Sequence, residues 1–399
     1  MNELTPETKA FISLHRSDDV HALALSGRKN ALVDMNVAIE QIAGWQIAVR
    51  KIPSWSKIDD IRYPRRLSME QCSSEQTARY KASLVGGNSL TDLTGGFGVD
   101  CAFLSVRFKE VCYVERQSEL CELAKHNFSA LNLNHIRVCC DDSVAYLQRM
   151  DAVDCIYIDP ARRDKYGGKT VTISACEPDI SALELLLVEK AGTVLVKLSP
   201  MLDVTSACKD LHFIRQLHVV SVQNECKELL AVLQKTSDLS CDENEGPVIV
   251  CEEISHDRPP VRFEFTRKAE ENAAVRWAEQ VESFLYEPYS AMLKAGAYRI
   301  LSQTYGVKKL HVNSHLYTSG EILPFPGRRF KVTGVSGFGK KELKSFLQDV
   351  HKANIAVRNF PLSVAELRKT LKLQDGGTCY IFATTLADGK HVLVKCEKV

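Results

Sequence analysis

The chain has 399 residues, 45% hydrophobic and 25% charged, a balance that excludes a disordered protein and a length that predicts two or three domains. No apolar run reaches membrane-span length, Met1-Asn2-Glu3-Leu4-Thr5 does not open a signal peptide, and the 14 cysteines lack CxxC or zinc-type spacing, so a reduced, cytoplasmic protein without a metal is expected. The net charge of +1 hides an asymmetry: residues 299–399 hold 17 Lys plus Arg against 7 Asp plus Glu, a balance of +10, which leaves −9 for residues 1–298. A basic quarter on an acidic body predicts a module that meets a polyanion.

Residues 1–83 read as mostly helical. Val33, Val37, Ile39, Ile42 and Ile47 form an imperfect helical stripe, and Pro53 and Pro64 break it. Ser73 and Gln76 stand at capping-box spacing, which predicts a helix from 73 that ends near Gly86-Gly87. From about 88 the period changes. Strands are expected at 89–93, 111–115, 136–139, 155–159 and 193–198, with helices at 118–131 and 180–190 among them. This alternation predicts an open parallel α/β sheet with helices on both faces, within a domain spanning 84–266. Strands at 219–223, 229–233, 248–253 and 262–266 follow so closely that an antiparallel edge is expected. A polar-faced helix over 267–285, a second up to Tyr305 and short strands at 310–312 and 315–317 make a linking region, 267–323. Pro324, Pro326 and Gly327 mark a boundary. The remainder, 324–399, reads as a small α+β unit: strand 330–335, helix 340–351, strand 355–358, a helix opened by Ser363-Val364-Ala365-Glu366, and a hairpin (379–385, 391–396) turning at Asp388-Gly389.

The chemistry concentrates at strand ends. Asp92-Leu93-Thr94-Gly95-Gly96-Phe97-Gly98-Val99-Asp100 joins the first strand to a helix, and its glycines let backbone approach a ligand under helix N–H groups. The dinucleotide fingerprint G-x-G-x-x-G fails there, because Cys101 stands at the third glycine. Glu115 ends the second strand, where a carboxylate either accepts ribose hydroxyls or is merely solvated. Asp141, Asp142 and Ser143 follow the third strand and either meet a ligand or cap the next helix. The fourth strand ends in Asp159-Pro160-Ala161-Arg162-Arg163, at the edge where ligands of open α/β sheets sit. A carboxylate with a carbonyl freed by proline can hold an amine's N–H pair and aim its lone pair at a methyl donor. Lys197 ends the fifth strand and either meets a substrate phosphate or pairs with Asp159. Arg328-Arg329, Lys340-Lys341 and Arg368-Lys369 are phosphate-contact candidates in aggregate.

These residues resemble class I S-adenosylmethionine-dependent methyltransferases. With Gln71-Cys72-Ser73-Ser74-Glu75 and His315-Leu316-Tyr317-Thr318-Ser319, nearly the whole chain is similar to the bacterial group that carries a C-terminal THUMP-like domain. The resemblance implies a Rossmann-like methyltransferase domain, a small ferredoxin-like linker, a THUMP-like RNA-binding domain, S-adenosylmethionine as cofactor, and tRNA or rRNA as partner. Carried onto this sequence, Asp92, Thr94, Gly95, Gly96, Phe97, Gly98, Asp100, Glu115, Arg116, Asp142, Ser143 and Asp159 bind the cofactor. In that pattern Asp92 faces the methionine ammonium, Glu115 the ribose and Asp142 the adenine amino group. Asp159 and Pro160 are catalytic, and Arg162, Arg163, Lys197, Arg328, Arg329, Lys340 and Lys341 meet substrate.

The glycine loop and the Asp-Pro pair also look like those of rRNA guanine-N2 methyltransferases, which points to an exocyclic base amine as the methyl acceptor. The chain departs from their (Asn/Asp)-Pro-Pro-(Tyr/Phe) pattern: Arg162 stands where an aromatic stacks on the flipped base. A guanidinium can stack or bind phosphate, and Tyr166 is the other candidate ring. The competing readings are a small-molecule methyltransferase, a non-catalytic RNA-binding protein that retains the cofactor fold, and a nicotinamide dehydrogenase.

Overall fold

The structure is a computed structural model and describes residues 4–25, 32–162, 172–235, 246–348 and 350–399. Its first unit takes in residues 1–215 and 229–238. Among the described residues, five α-helices open it: α1 (Pro6–His15), α2 (Val20–Leu25), α3 (Met35–Lys51), α4 (Arg66–Gln71) and α5 (Glu75–Leu84). Thr5 caps α1 by accepting from Thr8 N–H, with Pro6 at the first helical position, and Asp34 caps α3 by accepting from Val37 N–H. Val33 and Ile42 from the expected stripe join Ile12, Leu23 and Ala38 in one buried cluster. The cap of α5 is one residue later than its spacing predicted. Ser74 accepts from Thr77 N–H, and Ser73 is left to bond elsewhere.

The chain then alternates β1 (Ser89–Asp92), α6 (Val99–Ser105), β2 (Glu110–Glu115), α7 (Ser118–Ala130), β3 (Ile136–Cys140), α8 (Ser143–Arg149) and β4 (Val153–Ile158). After a two-residue ribbon of β5 (Ala161–Arg162) with β6 (Cys176–Glu177) come α9 (Ile180–Lys190), β7 (Ala191–Leu198) and α10 (Val204–Asp210). The strands lie in the order β7-β4-β1-β2-β3, all parallel. Cys155 to Ile158 and Val194 to Val196 are continuously buried, as expected for central strands covered on both faces. The strand ends carrying Asp92, Glu115 and Asp159 therefore share one edge, at the switch point on either side of β1. Residues 229–233 of β9 (Glu225–Leu233) pair antiparallel with β7.

The second unit takes in 216–228 and 239–399. Within it, β10 (Val248–Ile254) pairs antiparallel with β11 (Val261–Thr266), as expected, but parallel with β8 (Ile214–Val222). The antiparallel expectation therefore holds for β11 and not for β8. The helix expected over 267–285 is only α11 (Arg267–Asn272). Glu270 there is buried, and its carboxylate accepts the N–H groups of Tyr298, Arg299 and Ile300. The backbone of Arg276 and Ala278 instead bonds to Lys309. These long-range partners outcompete a local helix propensity that is worth tenths of a kcal/mol per residue.

Beyond lie β12 (Phe284–Pro288), α12 (Ser290–Ala295) and α13 (Ile300–Tyr305), two helices where one was expected, because Gly296 ends the first at φ +77°. The strands expected at 310–312 and 315–317 fall at β13 (Lys308–Lys309) and β14 (Tyr317–Ser319), with a turn between that places His315 at φ +53°. Next come β15 (Gly327–Ser336), α14 (Lys340–Phe346), shorter than expected, β16 (Asn354–Arg358), α15 (Val364–Leu371), β17 (Cys379–Thr385) and β18 (His391–Lys398). Ser363 and Glu366 form the expected capping box, and Gly389 turns the final hairpin at φ +84°. One sheet runs β13-β14-β12-β15-β18-β17-β16. Glu287 on β12 is 2% exposed and binds two arginines, Arg328 and Arg358. Glu287→Gln is expected to destabilise the protein by roughly 2–3 kcal/mol, below the ~3–5 for a fully buried pair because both guanidiniums keep some water. A denaturant midpoint equal to wild type would refute this.

Candidate functional site

The glycine loop is built by close backbone approach. Leu93 N–H donates to Tyr157 O, Gly95 N–H to Val114 O at 2.9 Å, and Gly96 N–H to Glu115 Oε2 at 3.0 Å, so the loop is tied to both β4 and β2. Tyr113 lies beneath it and donates its hydroxyl to Gly96 O at 2.5 Å. A Cβ at Gly95 would fall 2.1 Å from the Tyr113 ring, so only glycine fits. Gly98, at φ +87°, opens α6. Phe97 turns toward the N-terminal helical region, with its ring 5.2 Å from Trp55 and 6.5 Å from Tyr63.

Asp92 is 1% exposed, and its Oδ1 accepts from Thr94 N–H. Its Oδ2 is buried with no hydrogen-bond partner among the described residues. Burial, with the nearby charges of Asp100, Asp159 and Glu115, pushes its carboxyl well above the usual carboxylate range. Asp100 behaves in the opposite way. Burial presses it upward, but Lys81 and Lys197, with hydrogen bonds from Ser73 and Tyr157, hold it below the usual range. Glu115 also accepts from Gln117 N–H through Oε1 at 2.9 Å.

Asp159 is anchored twice. Its N–H donates to Thr94 Oγ1 at 2.6 Å, joining the fourth strand end to the loop, and its Oδ2 pairs with Lys197. Of the two roles open to Lys197, the pairing with Asp159 is present in the structure. Pro160 is buried beside Asp159, and Arg162 sits in β5 opposite Cys176. Arg116 pairs with Glu177 at 3.0 Å, so the β5–β6 ribbon leans on the end of β2. Asp142 caps α8, its Oδ1 accepting from Val144 and Ala145 N–H at 3.0 Å, with Ser143 the first helical residue, and Asp141 pairs with Arg149. Arg163 and Tyr166 lie outside the described residues.

Asp92, Thr94–Gly98, Asp100, Glu115 and Asp159 are thus brought together at one edge. In the second unit, Arg328 is committed to Glu287. Arg329 and the exposed Lys341 take part in no side-chain ion pair among the described residues, and Lys340 opens α14 with its side chain outside the description. Sequence reasoning missed Lys81, Ser73 and Tyr157, which surround Asp100. The available signal was Lys81 lying on the same helical stripe as the small residues Thr77, Ala78 and Ala82. Among the described residues, no group of three or more His, Cys, Asp and Glu could hold a metal, and no helix is long and apolar enough to cross a membrane.

The family described as ferredoxin-like domain matches residues 284–326, and the family described as THUMP domain-like matches residues 327–398. A search of curated proteins finds no match. The crystal structure of a "putative methyltransferase" from Porphyromonas gingivalis W83 is 33% identical, covers 100% of both chains and has a TM-score of 0.88. SMU.1697c from Streptococcus mutans, in complex with SAH, is 16% identical over 40% of this chain and 97% of its own, with a TM-score of 0.31. An rRNA methylase from Streptococcus thermophilus is 14% identical over 41% of this chain and 95% of its own, also at 0.31. Full-length similarity to the Porphyromonas protein and the two C-terminal matches place the assignment: the chain belongs to the class I methyltransferase family that carries a C-terminal THUMP-like domain.

Proposed function

We propose that the protein is an S-adenosylmethionine-dependent methyltransferase that modifies a base nitrogen, an exocyclic amine, of tRNA or rRNA. Residues 84–266 form its catalytic domain, 267–323 link, and 324–399 bind the RNA. The observation that carries the donor is the partnerless Oδ2 of Asp92. A carboxylate buried without a hydrogen bond is costly, and repulsion from three neighbouring acids adds to that cost, so the site calls for a cation with N–H donors. The methionine ammonium of S-adenosylmethionine meets that requirement. When bound, this cofactor supplies an electrophilic methyl group on sulfur.

The residues that would hold it are Asp92 and the loop 94–98 with Asp100, Glu115 through lone pairs beyond those given to Gly96 and Gln117, and Arg116, Asp142 and Ser143 beside them. Asp159, fixed by Lys197 and Thr94, and the carbonyl beside Pro160 receive the acceptor amine's N–H groups and orient its lone pair. Asp159 is then placed to take the proton that the amine sheds. The basic C-terminal quarter supports an RNA acceptor, with Arg329, Lys340 and Lys341 on phosphates and Arg162 and Arg163 near the base.

S-adenosylhomocysteine at a hundredfold its Kd is expected to stabilise the protein by ~2.7 kcal/mol in thermal denaturation, and NAD by nothing. Because the Asp92 carboxyl is raised, a proton competes with the ligand's ammonium at Oδ2, so affinity rises with pH until Asp92 ionises. Calorimetry across that range showing equal affinity would count against Asp92 as the ammonium's partner. Nucleoside mass spectrometry of RNA from cells with and without the gene tests the acceptor: a methylated nucleoside missing without the gene is expected, and identical profiles would sink the RNA reading.

A further inference from the structure

We propose that Lys81 is a positioning residue for the methyl donor: its buried ammonium clamps Ser73 and Asp100 and, through them, fixes the loop and the strand end that carry the site. This rests on the donor reading above.

Lys81 is 0% exposed on α5, in the helical region ahead of the sheet. Its Nζ lies 3.2 Å from Asp100 Oδ1 and donates to Ser73 Oγ at 3.1 Å. Ser73 donates to Asp100 Oδ2 at 2.7 Å, and the Tyr157 hydroxyl donates to the same oxygen at 2.8 Å. Three groups therefore meet at the Asp100 carboxylate, and all four residues belong to segments with their own bearing on the site. Asp100 is the second residue of α6, directly after the glycine loop. Tyr157 is two residues before Asp159, one repeat of the strand pleat. Ser73 precedes the cap of α5, and its neighbour Cys72 lies within electrostatic reach of Asp100 and Lys197.

A methionine or leucine at 81 could fill the same space without desolvating an ammonium, so packing alone does not call for lysine. What lysine adds is a fixed charge on Asp100. The charged and titratable groups around that carboxylate are Lys81 on α5, Lys197 on β7, Asp92 on β1, Tyr157 on β4, Cys101 on α6 and Cys72. Lys81 is the largest influence holding it ionised against burial. An ionised Asp100 accepts from Ser73 and Tyr157 together. A neutral one would accept the same two bonds through Oδ2 without the charge that strengthens them, and would lose the ion pair that Lys81 makes at Oδ1. The Lys81 ammonium meets Asp100 and Ser73 and the Tyr157 hydroxyl donates to Asp100, so both act through Asp100.

The test is a double-mutant cycle on S-adenosylhomocysteine affinity, measured by calorimetry on the full chain at a temperature where every variant is folded. Lys81→Met is expected to weaken binding at least tenfold, and Tyr157→Phe, which removes one hydroxyl, at least fivefold. Because both act through Asp100, the double variant should bind within about twofold of Lys81→Met alone. Should Lys81→Met fail to fold, Tyr157→Phe with Ser73→Ala completes the same cycle, and the two should again be non-multiplicative. Tyr157→Phe binding within twofold of wild type, or effects that multiply, would overturn the inference and leave the donor reading standing. A wild-type chain that does not bind S-adenosylhomocysteine would overturn both.

Discussion

Asp159→Ala is expected to lower methyl transfer about a hundredfold or more while the fold survives. Asp159 is the point where two constraints meet, its N–H on Thr94 and its carboxylate on Lys197. Removing the carboxylate deletes the acceptor for the substrate amine and takes from Lys197 the anion it pairs with beside the reacting nitrogen, which has to shed a proton there. Misplacement of a reacting group by about 1 Å alone costs ~10²-fold. Asp159 is partly exposed, so the stability change should be small by comparison. The measurement is transfer of labelled methyl from S-adenosylmethionine into total RNA from cells lacking the gene. S-adenosylhomocysteine affinity, titrated in parallel, should fall less than tenfold. Transfer at the wild-type rate would remove Asp159 from the mechanism.

Gly95→Ala is expected to cost both stability and cofactor binding. The added methyl would stand 2.1, 2.4 and 2.5 Å from three carbons of the Tyr113 ring. That ring cannot turn aside, because its hydroxyl is bonded to Gly96 O and its edge packs against Phe128 with centroids 5.5 Å apart. Overpacking of this kind typically costs ~1–3 kcal/mol. The loop is the weaker party, so relief comes by lifting it away from Val114 O and Glu115, the contacts that shape the ligand edge. A lowered thermal midpoint together with at least tenfold weaker S-adenosylhomocysteine binding is expected. An unchanged midpoint would show that the loop yields without loss.

The parallel sheet was legible because its central strands are buried on both faces and so read as unbroken apolar runs, such as Cys155-Ile156-Tyr157-Ile158. The strand-end acids were legible for a related reason: a carboxylate closing such a run breaks the apolar pattern. Local signals served where the cause was local, as at Ser363 with Glu366 and at Gly389. They failed where the cause was distant. The stretch after Asn272 is rich in helix formers, yet its backbone bonds to Lys309, more than thirty residues on. Lys81 was overlooked because a helical lysine normally marks a solvated face, and only the fold reveals Asp100 opposite it. The partnerless oxygen of Asp92 was likewise invisible, since the acid was readable but the lack of a donor around it was not.

The seven-stranded sheet of the second unit crosses the boundary between the two matched families. The ferredoxin-like match ends at 326 and the THUMP-like match begins at 327, yet Phe284 to Pro288 pair residue by residue with Gly327 to Lys331 across that seam. Glu287 stands on one side of the seam, and both of its arginines stand on the other. A cut between 326 and 327 would strip a ladder of hydrogen bonds from both pieces, strand two guanidiniums and open two raw strand edges to aggregation. Two segments that match separate family models therefore share one sheet, and each would expose a bare strand edge without the other.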